Sequence, residues 1–196
     1  MEFRETSDHE LIHLYIAGSE EGLTELIRRY QSKIYTSIYL LVKDEYLAED
    51  IFQDTFIKVI NTLKAGKYNE EGKFLPWVAR IAHNLVIDHF RREKRTPLVN
   101  NDEDFDIFDV LGHYDESTED RMIREQTYTD LKKLIHLLPS EQKEVLIMRH
   151  YGDLSFKQIA DITEVSINTA LGRMRYALNN LRRMMLSKDK ELLLKD

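Results

Sequence analysis

The sequence predicts an all-α protein: two small helical domains joined by an acidic flexible linker. Three observations predict it. Only 3 Pro and 7 Gly interrupt 196 residues. No segment alternates apolar and polar residues for long, and apolar residues recur at spacings of three and four, the period of a helix with one buried face. Finally, charge changes abruptly along the chain. Residues 1–95 hold 14 Lys/Arg against 16 Asp/Glu, residues 96–120 hold 0 against 9, and residues 121–196 hold 14 against 10. The net charge of −7 therefore resides mostly in the middle, and the C-terminal part is basic enough to approach phosphates.

The length is comfortable for two domains that each bury a core without covalent staples. With 0 Cys, disulfides and thiolate zinc sites are excluded, which fits a reducing compartment. The longest apolar run, Ile38-Tyr39-Leu40-Leu41-Val42, is far below the roughly 20 residues that span a bilayer. The start, Met1-Glu2-Phe3-Arg4-Glu5, has no basic-then-apolar leader pattern. A soluble, cytoplasmic protein without membrane insertion is expected.

Helices are predicted near 8–17, 20–42, 44–64, 74–94, 119–137, 140–151, 155–163 and 166–186. Asp44 and Ser166 are suited to N-caps, and Ser155-Phe156-Lys157-Gln158 fits a capping box. Pro76 falls in a first helical turn, where its missing N–H costs nothing. These elements group as domain 1–95, a linker over 96–118 containing Asn100-Asn101-Asp102-Glu103-Asp104, and domain 119–196.

The C-terminal domain carries a helix-turn-helix pattern. Phe156, Ile159, Ala160, Ile162 and Val165 hold a short first helix against a second, and small Ala160 permits close crossing. Spacing predicts that the second helix buries Ile167, Leu171, Met174, Leu178 and Leu181. Its opposite stripe is then Thr169, Arg173, Tyr176, Asn180 and Arg183, flanked by Arg175, a polar and cationic face suited to a major groove. Arg149 and Lys157 suit phosphate anchoring, which positions a protein on a duplex without reading sequence. A helical hairpin with a merely solvated basic side is the plainer alternative.

In the N-terminal domain, Trp77, Arg80, Ile81, Asn84, Asp88, Arg91 and Arg95 share one broad helical stripe. An aromatic, an amide and guanidinium groups together suit opened single-stranded DNA, since rings stack on bases, cations hold phosphates and an amide reads a base edge. The plainer reading makes Trp77 and Ile81 core and the Arg91–Arg95 cluster a solvated helix end favoured by the dipole. One helix earlier, Ile51, Phe52, Thr55, Phe56, Val59, Ile60 and Leu63 can face inward, leaving Asp50, Gln53, Asp54 and Ile57 outside. That outer face resembles a protein-docking surface more than a DNA surface, an ordinary solvated face being the alternative.

Three blocks, in order and spacing, resemble the extracytoplasmic-function group of bacterial sigma factors, specificity subunits of RNA polymerase. They are the acid-rich helix Ala48–Val59, the run Phe74-Leu75-Pro76-Trp77 through Asp88, and Leu138-Pro139 leading into the helix-turn-helix. Ser166 to Leu178 is similar in style to members from Bacteroidetes. The resemblance implies that Asp50, Gln53 and Phe56 dock on the clamp of the largest polymerase subunit. It implies that Lys67, Tyr68 and Asn69, in a loop over 67–73, accept a flipped base of the −10 element with Asn84 lining the pocket, while Trp77, Arg80 and Arg91 hold the opened strand. It gives the −35 element to Thr169, Arg173, Arg175 and Tyr176 with Asn168 close by, threads the acidic linker toward the RNA path, and implies an anti-sigma factor that clamps the two domains. Many members have a basic residue and a Ser where this chain has Leu171-Gly172, so contacts at those two positions do not carry over.

Two other classes compete. His83, Asp88 and His89 could suggest metal ligands of a helical phosphohydrolase, but positions 83 and 89 lie on different sides of a helix. No metal, no cofactor and no catalytic residue are expected, and the protein is not expected to be an enzyme. A free-standing helix-turn-helix regulator would bind its operator unaided and usually as a symmetric dimer.

Overall fold

Side-chain caps written into the sequence set several of the helix starts. The computed structural model describes residues 6–69, 73–93, 131 and 133–193. Helix α1 (Asp8–Ile16) begins at Ser7, whose Oγ accepts from the Glu10 N–H at 3.3 Å while the Glu10 carboxylate accepts from the Ser7 N–H at 2.8 Å. This capping box is written as Ser-x-x-Glu and was available to sequence reasoning, which did not use it. Helix α2 (Glu20–Val42) ends at Lys43 in the left-handed region, φ 61°. Helix α3 (Glu45–Lys64) starts at Asp44, whose carboxylate accepts from Leu47 N–H at 2.8 Å, as expected of that cap. Helix α4 spans Phe74–Glu93.

After residues 133–136, which are also helical, α5 (Ser140–His150), α6 (Phe156–Ile162) and α7 (Ile167–Leu193) follow. The expected box at α6 is present, with Ser155 Oγ accepting from Gln158 N–H at 3.3 Å and Gln158 Oε1 accepting from Ser155 N–H at 2.7 Å. Ser166 caps α7 by accepting from Thr169 N–H at 3.0 Å. Among the described residues every regular element is a helix. The expected linker over 96–118 and most of the helix expected over 119–137 lie outside the described residues.

The chain divides into two compact units, Met1–Leu111 and Gly112–Asp196. In the first, α2 packs against α1, α3 and α4. Its core is built from Leu11 and Ile12, Leu26, Ile34, Ile38 and Leu40, Ala48, Val59 and Leu63, and Phe74 and Val78. Each fully buried Leu, Ile or Phe contributes about 1.5–3 kcal/mol relative to exposure. Gly22 lets α2 approach α1, since a Cβ there would stand 2.4 Å from the Leu11 carbonyl oxygen. A polar latch fastens the same pair. Tyr30 donates to Asp8 at 2.6 Å, and Arg29 joins Asp8 at 3.1 Å to Glu25 at 3.0 Å. Glu25 also accepts two hydrogen bonds from Arg28, and that guanidinium is the first cause holding its carboxyl down near 2. Burial, and then Asp8, push the Tyr30 phenol well above its ordinary range.

In the second unit, α7 packs on both α5 and α6. Val145 and Ile147 of α5, Leu154 of the following loop, Ile159 and Ala160 of α6, and Ala170 and Ala177 of α7 are buried. The face α7 buries corrects the expectation from spacing. Ala170, Ala177 and Leu181 are buried, with Met174 and Met184 partly so, whereas Ile167, Leu171 and Leu178 are 45%, 43% and 47% exposed. Positions 170, 174, 177, 181 and 184 satisfy the same four-and-three rhythm one step away. The helices approach closely through alanines, so the larger residues beside that line stay outside. Glu164, in the turn between α6 and α7, takes φ 55°. The α7 helix also runs past the expected end at 186, to Leu193.

Candidate nucleic-acid interface

On α7 part of the outward side is polar, beside the exposed Ile167, Leu171 and Leu178. Asn168, Thr169, Arg175 and Tyr176 are exposed, the last by 63%. Thr169 Oγ1 lies 2.8 Å from Ser166 Oγ, which fixes its rotamer at the helix start. Two members of the expected stripe turn toward α5 instead. Asn180 donates to Gln142 at 2.8 Å and accepts from Arg183 at 3.1 Å, so it ties helices together. Arg173 is half-buried and its charge reaches Glu141. The Glu141 carboxyl is held low first by a backbone N–H, then by Ser140, with Arg173 adding to them. The presented surface is therefore centred on Asn168, Thr169, Arg175 and Tyr176, and exposed Leu171 borders it.

Arg149 and Lys157 are both exposed. Arg149 donates to the Leu154 carbonyl at 3.0 Å, and its guanidinium lies 5.6 Å from the Phe156 ring centre. It thereby steadies the loop that delivers Ser155 and α6, and cations flank the same end of the motif.

On α4, Arg80, Asn84, Asp88 and Arg91 are exposed along one side, with Trp77 half-buried at its beginning. Arg91 pairs with Asp88 at 3.6 Å, both well solvated; such a pair contributes little to stability and leaves the guanidinium available. The loop after α3 turns at Gly66, φ 63°, and Lys67 N–H donates to the Thr62 carbonyl at 3.1 Å. This returns Tyr68 to α4, where its ring centre lies 4.5 Å from Trp77 and 6.4 Å from Phe74. Phe74 is buried and touches Tyr30 at 5.8 Å. An aromatic cluster thus anchors the loop and the stripe to one scaffold, with Lys67 and Asn69 exposed beside it. Sequence reasoning named Tyr68 and Trp77 separately; their contact unites the core and surface readings, since each ring is partly packed and partly exposed. Residues 70–72 of the loop and Arg95 lie outside the described residues.

On α3, Asp50, Gln53, Asp54 and Ile57 are exposed as expected, Ile57 by 53%. Phe56 is the exception among the residues expected to dock. It is 6% exposed and packs on Phe52 at 4.9 Å, so it shapes the core beneath the face and does not present itself. Tyr46, one turn before Asp50, is exposed and was not singled out. Burial, and then Glu45 and Glu49, raise the Tyr35 phenol, which reflects the negative potential at this end of α3.

His83 is buried in α4 and His89 faces Glu93 at 3.9 Å. Among the described residues no group of three His, Cys, Asp or Glu is placed to hold a metal ion, and no helix is long and apolar enough to cross a membrane.

Residues 26–96 match sigma-70 region 2 and residues 128–179 match sigma-70 region 4, together more than half of the chain. The chain is 28% identical over 171 residues to the RNA polymerase sigma-H factor of Pseudomonas aeruginosa, covering 85% of this chain and 88% of that protein. It is 26% identical over 174 residues to the ECF RNA polymerase sigma factor SigW of Bacillus subtilis, covering 86% and 91%. In fold it is similar to the sigma factor RpoE of Bartonella quintana, solved in complex with the anti-sigma factor NepR. The TM-score is 0.67 at 18% identity, covering 83% of this chain and 96% of that one.

Proposed function

We propose, from the premise that this chain belongs to the sigma-70 family of RNA polymerase sigma factors, that its surfaces divide promoter recognition among three helices. The chain is a sigma factor: it joins core polymerase and directs initiation at specific promoters. In the proposed division, α3 docks on the clamp of the largest subunit through Asp50 and Gln53, with Ile57 in place of buried Phe56. The α4 stripe, Arg80, Asn84 and Arg91 with Trp77, holds the opened strand of the −10 element, and Lys67, Tyr68 and Asn69 frame the pocket for a flipped base. The α7 face, Asn168, Thr169, Arg175 and Tyr176, reads the −35 duplex, Arg173 contributes from its edge, and Arg149 and Lys157 anchor phosphates.

The observation that carries this reading is the aromatic cluster. Tyr68 and Trp77 are held 4.5 Å apart on buried Phe74, directly at the head of an exposed Arg-Asn-Arg line. Stacking on such rings is worth roughly 1–3 kcal/mol per base, enough to hold a melted base that would otherwise re-pair. The protein acts in the cytoplasm with polymerase, catalyses no reaction itself, and is held inactive by an anti-sigma factor. The last point is supported by the neighbour in fold solved with an anti-sigma factor. The wording of Ser166 to Leu178 supports a Bacteroidetes source, and domains over 1–95 and 119–196 on an acidic connector over 96–118 remain the proposed organisation.

The test separates opening from binding. Asn84→Ala holoenzyme should occupy promoters like the parent but show reduced permanganate reactivity of unpaired thymines, while Asp50→Arg with Gln53→Ala should fail to bind core with helicity intact. Unchanged thymine reactivity would remove Asn84 from the pocket, and undiminished core binding would remove α3 from docking.

A further inference from the structure

The polar latch between α1 and α2 lies next to the aromatic cluster, and one side chain belongs to both. The Tyr30 ring centre stands 5.8 Å from that of Phe74, and Phe74 in turn lies 5.8 Å from Trp77 and 6.4 Å from Tyr68. At the far end of the same ring, the Tyr30 hydroxyl donates to Asp8 at 2.6 Å. This is the short, strong class of hydrogen bond that an ionised acceptor makes. Burial, and then Asp8, raise the phenol, so the proton stays on the donor. Asp8 is itself held by Arg29 at 3.1 Å, and Arg29 by Glu25 at 3.0 Å. An unbroken series of contacts therefore runs from the first residue of α1 to the rings at the head of the α4 stripe.

Packing alone does not call for the hydroxyl, since phenylalanine at position 30 would offer Phe74 the same ring. What the hydroxyl adds is a fixed point. A ring bonded at its far end to a residue 22 positions away resists tilting when its neighbour is pushed. Rings that hold a base must keep their place while the base presses on them, and side chains are locked in place by packing and by the hydrogen bonds behind them. Phe74 is buried and has no polar side-chain atom, so only what packs on it can lock it. We propose, on the reading of Tyr68 and Trp77 as the base-holding rings, that Tyr30 is a positioning residue for promoter opening: anchored on Asp8, it backs Phe74 and so fixes Tyr68 and Trp77 where an unpaired base stacks. Asp8 and Tyr30 act through those rings and touch no DNA.

Tyr30→Phe removes the hydroxyl and keeps the ring, Asp8→Ala removes the acceptor, and Asp8→Asn keeps one. Holoenzyme carrying Tyr30→Phe or Asp8→Ala should occupy promoter duplex like the parent but open it about fivefold more slowly, followed by permanganate reactivity of unpaired thymines. A bond to a charged group is worth on the order of tenfold or more, and part of that reaches the rings. Asp8→Asn should restore most of the rate, and Tyr30→Phe with Asp8→Ala should be no slower than either alone, as one shared bond requires. In the free chain, excited where tyrosine does not absorb, emission from the single tryptophan, Trp77, should shift in Tyr30→Phe. Ser7→Ala removes the cap of α1 without touching Tyr30, and should leave opening unchanged. Opening by Tyr30→Phe at the parental rate overturns the proposal, and so does an unshifted Trp77. An equal loss in Ser7→Ala also overturns it, because loosening of α1 would then suffice. If the parent holoenzyme opens no promoter while Trp77 still shifts, the reading of the rings fails first, and this inference with it.

Discussion

Helices α4 and α7 both carry an exposed polar stripe, but they bury their other sides by different means. Large residues seat α4: Phe74, Val78 and Val86 are buried, and Trp77 and Ile81 are partly packed at the margin. Small residues seat α7, with Ala170 and Ala177 buried while Ile167, Leu171 and Leu178 stay exposed. Burying a branched apolar side chain contributes about 1.5–3 kcal/mol, so spacing alone assigns the larger residues to the core. That assignment holds where partners can be long and deeply interdigitated. It fails on α7, where small Ala177 sits in one cluster with Ile135, Leu138 and Leu146 while Leu178 beside it stays outside.

The comparison can be broken most strongly at Phe74. Phe74→Ala should destabilise the first unit by about 3–5 kcal/mol. The single tryptophan, Trp77, lies beside Phe74, so its fluorescence in a urea titration reports this unit directly. A loss below about 1 kcal/mol would deny the cluster its role as scaffold. The register of α7 is tested by two substitutions of adjacent residues. Ala177→Leu should cost about 1–3 kcal/mol by overpacking, whereas Leu178→Ala should stay within about 0.5 kcal/mol, as exposed substitutions do. The reverse order of costs would restore the register that spacing predicted. Capping gives a smaller effect: Ser155→Ala should cost about 1 kcal/mol, read from the same denaturation by circular dichroism.

The smallest effect is expected from pH. Glu25 is held down near 2 from an ordinary value of 4.5, so its ion pairs support the first unit fully above about 4.5 and lose that support as pH falls toward about 2. Its partner Arg28 is well solvated, with 61% of its side chain exposed, and screening keeps the effect slight. A Glu25→Gln chain should therefore show a flatter decline of stability between those two values than the parent. Parallel declines would place the acid sensitivity elsewhere.

Most of the architecture was legible because caps and apolar rhythm are local. Asp44, Ser155 and Ser166 sit where sequence rules place them, and each helix starts at the next residue. The polar face of α4 and the outer face of α3 were legible for the same reason, one side of each being plainly apolar. Other features depend on which neighbour lies across a crossing, and no spacing encodes that. Asn180 looks like a groove residue until Gln142 of α5 is found 2.8 Å away. Phe56 looks like a docking residue until Phe52 is found beside it, and the approach of Tyr68 to Trp77 requires the turn at Gly66.

This chain gives core RNA polymerase its choice of promoter. The most direct measurement mixes the purified chain with core polymerase from a related bacterium, follows co-elution, and maps transcript 5′ ends on genomic DNA. Co-elution with a defined set of starts, sharing one −10 and one −35 sequence, is the predicted result. A chain that binds a specific duplex tightly by itself, and leaves the polymerase's start sites unchanged, would contradict the account and identify a free-standing regulator instead.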